Sequence, residues 1–90
     1  MKKYIERKNC VLAMRWDGFI SMPELVEMNG GAVNILLRHD ESVVIFDNGY
    51  DLKPNIIANK GSYIVLDNGC YSVFSDEKSF NKKYVEYTEE

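Results

Sequence analysis

The stretch Ser62-Tyr63-Ile64-Val65-Leu66-Asp67-Asn68-Gly69-Cys70-Tyr71-Ser72-Val73-Phe74 decides the fold class. Two β-rich runs flank Asn68-Gly69, and a two-residue type I′ turn needs positive φ at both central positions, which Asn and Gly tolerate best. That turn fixes the register: Asp67 opposite Cys70, Leu66 opposite Tyr71, Val65 opposite Ser72, Ile64 opposite Val73 and Tyr63 opposite Phe74. Ile64, Leu66, Tyr71 and Val73 then form one wholly apolar face. Tyr63, Val65, Asp67, Cys70, Ser72 and Phe74 form a mixed one. The apolar face belongs on a core; the mixed face is either a second small core under the C-terminal segment or an aromatic surface for a partner.

The pattern repeats upstream. Short β-rich runs at residues 32–38, 42–47, 50–53 and 56–58 precede the hairpin, separated by turn residues, so the chain reads as a meander. Asp47-Asn48-Gly49-Tyr50 offers a second Asn-Gly turn, which would pair Phe46 with Asp51, Ile45 with Leu52 and Val44 with Lys53 and turn Val43, Ile45, Tyr50 and Leu52 inward. Pro54 lacks a ladder donor, so the return strand is expected to end or bulge there before Ile56. The flanks of the two Asp-Asn-Gly turns differ, so they are similar turns and not a repeat.

Toward the N-terminus, Cys10 to Asp17 alternates, with Leu12, Met14 and Trp16 on the bulkier face and Trp16 as its anchor. Ser21-Met22-Pro23-Glu24 matches a capping box with proline in the first turn, and Gly30-Gly31 supplies a stop, so one short α-helix is expected over 22–29. Its Met22, Leu25 and Val26 share a face, with Met28 on the flank. Toward the C-terminus, Ser75 or Asp76 is placed to cap a turn of helix through Phe80 and Asn81. Tyr84 to Tyr87 then alternates like an edge strand. The expected fold is a single α+β domain: a strongly bent antiparallel sheet or partly open barrel with one short helix across it.

Composition bounds the function. Ninety residues, 46% of them hydrophobic, are enough for one core without metal or disulfide support, and a net charge of −3 disfavours nucleic acid as a partner. No apolar run reaches the length of a membrane span, and Met1-Lys2-Lys3 leads into Tyr4-Ile5-Glu6-Arg7 with no apolar leader, so a cytoplasmic protein is expected. Cys10 and Cys70 make no Cys-x-x-Cys pair and read as buried reduced thiols.

Catalytic constellations are sparse. His39 is the one histidine and sits beside Asp40 in an expected turn, where neighbouring side chains point apart into water. The carboxylates at Asp40-Glu41, Asp47, Asp51 and Asp67 sit at strand ends, where aspartate is recruited for turn hydrogen bonds. Ser21 reads as a cap and not a nucleophile, and Gly30-Gly31 follows a helix where a phosphate cradle would open one. No enzyme activity, metal or cofactor is expected. The candidate binding residues are Tyr63, Phe74, Tyr50 and Arg38.

Val11-Leu12-Ala13-Met14-Arg15-Trp16-Asp17-Gly18, the short helix with its Gly-Gly stop, Gly61-Ser62-Tyr63-Ile64-Val65 and the Phe80-to-Tyr84 spacing together resemble a family of small phage and prophage proteins without assigned function. The likeness spans about Val11 to Tyr87. Relatives carry Pro-Gly-Asp where Lys60-Gly61-Ser62 stands here, and a Cys-x-Pro stretch that is replaced around Phe74-Ser75-Asp76. The resemblance implies a phage-encoded accessory protein in the host cytoplasm and supplies no catalytic residue. The leading expectation is that it binds and blocks a host or anti-phage defence protein. A sponge for a small nucleotide-like ligand, held between protomers of a homo-oligomer, and a minor structural or DNA-associated phage protein are the alternatives.

Overall fold

The computed structural model describes residues 2–6, 9–46 and 54–86, with side chains over 11–46 and 55–84. Among the described residues, eight strands, a 3-10 turn and two helices run in the order β1 (Lys2–Glu6), β2 (Asn9–Arg15), the 3-10 turn Phe19–Ser21, α1 (Met22–Asn29), β3 (Ile35–Leu37), β4 (Val43–Phe46), β5 (Pro54–Ala58), β6 (Tyr63–Asp67), β7 (Cys70–Phe74), α2 (Glu77–Lys83) and β8 (Val85–Glu86). The α+β class stands. The single bent sheet is resolved into two antiparallel sheets, a five-stranded one ordered β7-β6-β2-β1-β8 and a three-stranded one ordered β3-β4-β5, which do not close into a barrel. The turn of helix expected after Ser75-Asp76 is present as α2, capped by Asp76 and extended to Lys83, so the sheets carry two helices where the fold expectation counted one.

The deciding hairpin has the expected register at all five pairs, from Asp67 opposite Cys70 to Tyr63 opposite Phe74. Asn68 and Gly69 take φ of 54° and 82°, the left-handed pair that a two-residue turn demands. The register expected across Asn48-Gly49 is overturned. Ile45 pairs with Ile56 and Val44 with Ile57, not with Leu52 and Lys53. Pairing with β5 sets Ile56 and Ala58 beside Ile45 and Val43 on the buried face and places Ile57, in place of the expected Lys53, beside Val44 on the other, so β4 has apolar neighbours on both faces. The irregularity expected at Pro54 is present, since the register shifts between Ile45 and Phe46 and Phe46 pairs with Pro54. The Asn48-Gly49 turn itself lies outside the described residues.

Trp16, fully buried, anchors the main core with Met14, Leu25, Met28, Val43, Ile45, Ala58 and Ile64. This core fills the space between one face of the five-stranded sheet and the cover made by α1 and the three-stranded sheet. Leu12, Leu66, Tyr71 and Val73 border it, as the apolar face of the hairpin requires. On α1 the buried residues are Leu25 and Met28, with Met22 packed against them, so the inward stripe runs through Met28 and not through Val26.

The two helices begin differently. Ser21 is not a side-chain cap: it sits in helical backbone as the end of the 3-10 turn, and its Oγ accepts from the Asp17 N–H at 2.8 Å and donates to the Arg15 carbonyl at 3.3 Å. Capping needs an extended residue whose side chain folds back over the first turn. Asp76 supplies that geometry at α2, with φ −146° and ψ 162°, and its Oδ1 accepts from the Ser79 N–H at 2.7 Å.

Candidate docking surface

The four candidate binding residues do not converge. Tyr63 and Phe74 meet on the mixed face of the hairpin, inside a second core with Val11, Ala13, Val65, Phe80 and Tyr84. Phe80, fully buried on α2, stacks on Tyr63 with ring centroids 4.4 Å apart and planes 13° from parallel. Phe74 lies edge-on to Phe80 and to Tyr84, at 6.0 Å and 5.7 Å. These offset and edge-to-face geometries place the negative ring face against the positive edge, as a packed aromatic interior does. Tyr63 and Phe74 keep only part of their surface in water. Tyr50 lies outside the described residues.

Arg38 stands elsewhere, on the outer face of the three-stranded sheet. Strand alternation turns Val43 and Ile45 into the main core and leaves Leu36, Val44 and Ile57 on the opposite side, directly in line across β3, β4 and β5. Leu36 is 49% exposed and Ile57 46%, while Val44 between them is at 1%. Arg38 follows Leu36 at the next position on that face, opposite Ser42, whose carbonyl accepts the Arg38 N–H at 2.9 Å. The result is an apolar row three strands wide, with Arg38 at the next outward position beyond it on β3's side.

The polar side chains with the chemistry for catalysis are engaged in holding turns. Asp40 Oδ1 accepts from both the N–H and the hydroxyl of Ser42, at 2.9 and 2.6 Å, and these bonds hold its carboxyl below the usual aspartate value. Asp40 therefore serves its own turn, with exposed His39 beside it. Glu41 is bound by Lys60 and the Phe19 N–H, Asp76 by Ser79, and Asp17 by Arg15 at 2.9 Å. Among the described residues no three His, Cys, Asp or Glu side chains gather to hold a metal ion. Cys70, expected buried, is exposed because it flanks the hairpin turn, at the end of the sheet that α2 does not reach.

Sequence reasoning missed the outer face because the strand carrying it was assigned the wrong partner: with Lys53 opposite Val44, no apolar row forms. The signal that would have found it is the double alternation of Leu36 with Leu37 and Ile56 with Ile57, apolar on both faces. No protein-family model, curated protein or solved structure matches this chain.

Proposed function

We propose that this chain is a non-enzymatic, phage-encoded accessory protein that binds and blocks a host or defence protein, docking it on the outer face of β3-β4-β5. The observation that carries the reading is the Leu36–Val44–Ile57 row, in which two large apolar side chains stand half in water on either side of Val44 with Arg38 beside them. Exposed large apolar side chains are what a protein partner covers, and arginine is among the side chains that anchor such contacts. The resemblance to small phage proteins supports the accessory role, and the engagement of Asp40, Glu41 and Asp76 in turns supports binding over catalysis.

The test compares tagged wild type with a Leu36→Asp/Ile57→Asp double variant in host extract, with melting curves of both. Wild type is expected to retain one host protein in stoichiometric amount, and the double variant to lose it while melting within a few degrees of wild type. Equal retention by both removes the face from consideration. Failure of wild type to retain any protein removes the binding role.

A further inference from the structure

The loop between β2 and α1 is held from two sides while its tip stays in water. On the inner side, Ser21 Oγ bonds Asp17 and Arg15, and the Ser21 N–H donates to the Gly18 carbonyl at 2.9 Å. On the outer side stands Glu41, from the β3–β4 turn. Its Oε1 accepts from the Phe19 N–H at 3.2 Å and its Oε2 is 3.0 Å from Lys60 Nζ, on the β5–β6 turn. Its backbone carbonyl accepts the buried Trp16 indole N–H at 2.6 Å. Trp16 in turn is tied to the β5–β6 turn, donating to the Ser62 carbonyl and accepting from Gly61.

One residue thus joins three turns, and the backbone at positions 41 and 18 is fitted to the contact. Glu41 has φ +65°, a left-handed conformation uncommon for a residue with a side chain. Gly18 has φ +86°, and a Cβ there would lie 2.5 Å from Glu41 Oε1, so a side chain at position 18 would expel the carboxylate. What these contacts immobilise is an apolar pair, Phe19 at 50% and Ile20 at 83% exposure. Left to itself, a surface loop carrying such residues would turn them inward. Holding them outward in one conformation lowers the ordering cost of any contact they make.

We propose that Glu41 is a clasp, a positioning residue that pre-orders the Gly18–Ser21 turn and fixes how Phe19 and Ile20 are presented. The geometry of the free chain carries this assignment; only the use of the pair as a second contact rests on the binding role proposed above. Amide hydrogen exchange of the isolated full-length protein, followed by NMR at neutral pH, separates the two.

In wild type the Phe19 amide is expected to be protected. In Glu41→Ala it should exchange about tenfold faster, the loss of one net hydrogen bond, with Ala13 and Val65 in the sheet unchanged. Glu41→Gln, which keeps a side-chain carbonyl, should restore most of that protection without the Lys60 ion pair. Gly18→Ala should release Phe19 as Glu41→Ala does, from the opposite partner. An unprotected Phe19 amide in wild type overturns the clasp. So does equal acceleration at Phe19, Ala13 and Val65 in both Glu41→Gln and Gly18→Ala, which would make Glu41 a general support of the fold.

Discussion

The two faces of the five-stranded sheet are closed by different means. The main core draws on β2, α1, β4, β5 and β6 and is mostly aliphatic around one tryptophan. The second rests on the rings of Phe80 and Tyr84, brought in by α2 and the residue after it, set against Tyr63 and Phe74. Adjacent residues of β6 divide between them: Ile64 faces the first and Val65 the second, and both are fully buried. The first cover is a sheet and a helix assembled from much of the chain. The second is one seven-residue helix with Tyr84 at its end, fastened by its cap and by ring contacts, so the two faces should differ in cooperativity more than in dryness.

Replacing the anchors tests this most severely. Trp16→Ala and Phe80→Ala each remove a fully buried ring system and are expected to cost about 3–5 kcal/mol. Trp16→Ala also leaves the Glu41 carbonyl without its indole donor, so it is placed at the upper end. The comparison holds if Trp16→Ala accelerates amide exchange throughout both sheets, whereas Phe80→Ala exposes chiefly α2. Global unfolding in both variants would merge the two cores into one cooperative unit.

Tyr63→Ala gives a smaller effect. Removing a half-buried ring and its stack on Phe80 should cost about 1–3 kcal/mol, from the lost pair and part of the lost burial. Chemical denaturation checks the value; a cost below about 0.5 kcal/mol would return Tyr63 to the solvent-exposed surface class.

The smallest effect separates the two helix starts by pH. The Ser79 N–H bond to Asp76 holds that carboxyl below the usual aspartate value, so the carboxylate is preferred in the folded state. Its contribution is complete above the unfolded value near 4 and is lost as pH falls through the lower folded value. The protection of the Ser79 amide, taken relative to its intrinsic exchange rate at each pH, should fall on acidification through that range, and Asp76→Asn, which keeps a capping oxygen, should flatten the fall. The start of α1, which lacks a side-chain cap, should show no matching loss of amide protection.

The same contrast explains what the sequence revealed. Ile64, Leu66, Tyr71 and Val73 alternate cleanly because the main core covers the whole length of that hairpin face. The other face reads as mixed because α2 covers only its far half: Tyr63, Val65 and Phe74 pack under the rings, while Cys70 and Ser72 near the turn remain in water. Periodicity alone cannot separate a half-covered core from a binding surface, since both place aromatics beside polar residues. The Ser21 cap was misread for a related reason: Ser-x-x-Glu describes spacing, whereas capping depends on the backbone of the first residue, and the 3-10 turn had already bent it. β1 left no strand signal that distinguished Lys3-Tyr4-Ile5 from a charged lead-in. The clasp leaves no local pattern because Glu41 and its partners Trp16, Phe19 and Lys60 come from three separate turns.

The strand order of the large sheet also sets a timetable. β6 and β7 are joined by two residues and pair at once, but β2 needs β6 from the far side of the meander, and β1 pairs Tyr4 with Glu86 across nearly the whole described chain. Contacts that distant close slowly, because the loop between them must be ordered before they repay it. β2 can pair with β1 as soon as both emerge, but on a ribosome adding about 5–20 residues each second its other ladder edge and both apolar faces wait for seconds. The hairpin at Asn68-Gly69 is the piece that receives that open edge. A change that slowed that turn, such as Gly69→Val, should show itself in the yield of folded protein before it shows in the melting temperature.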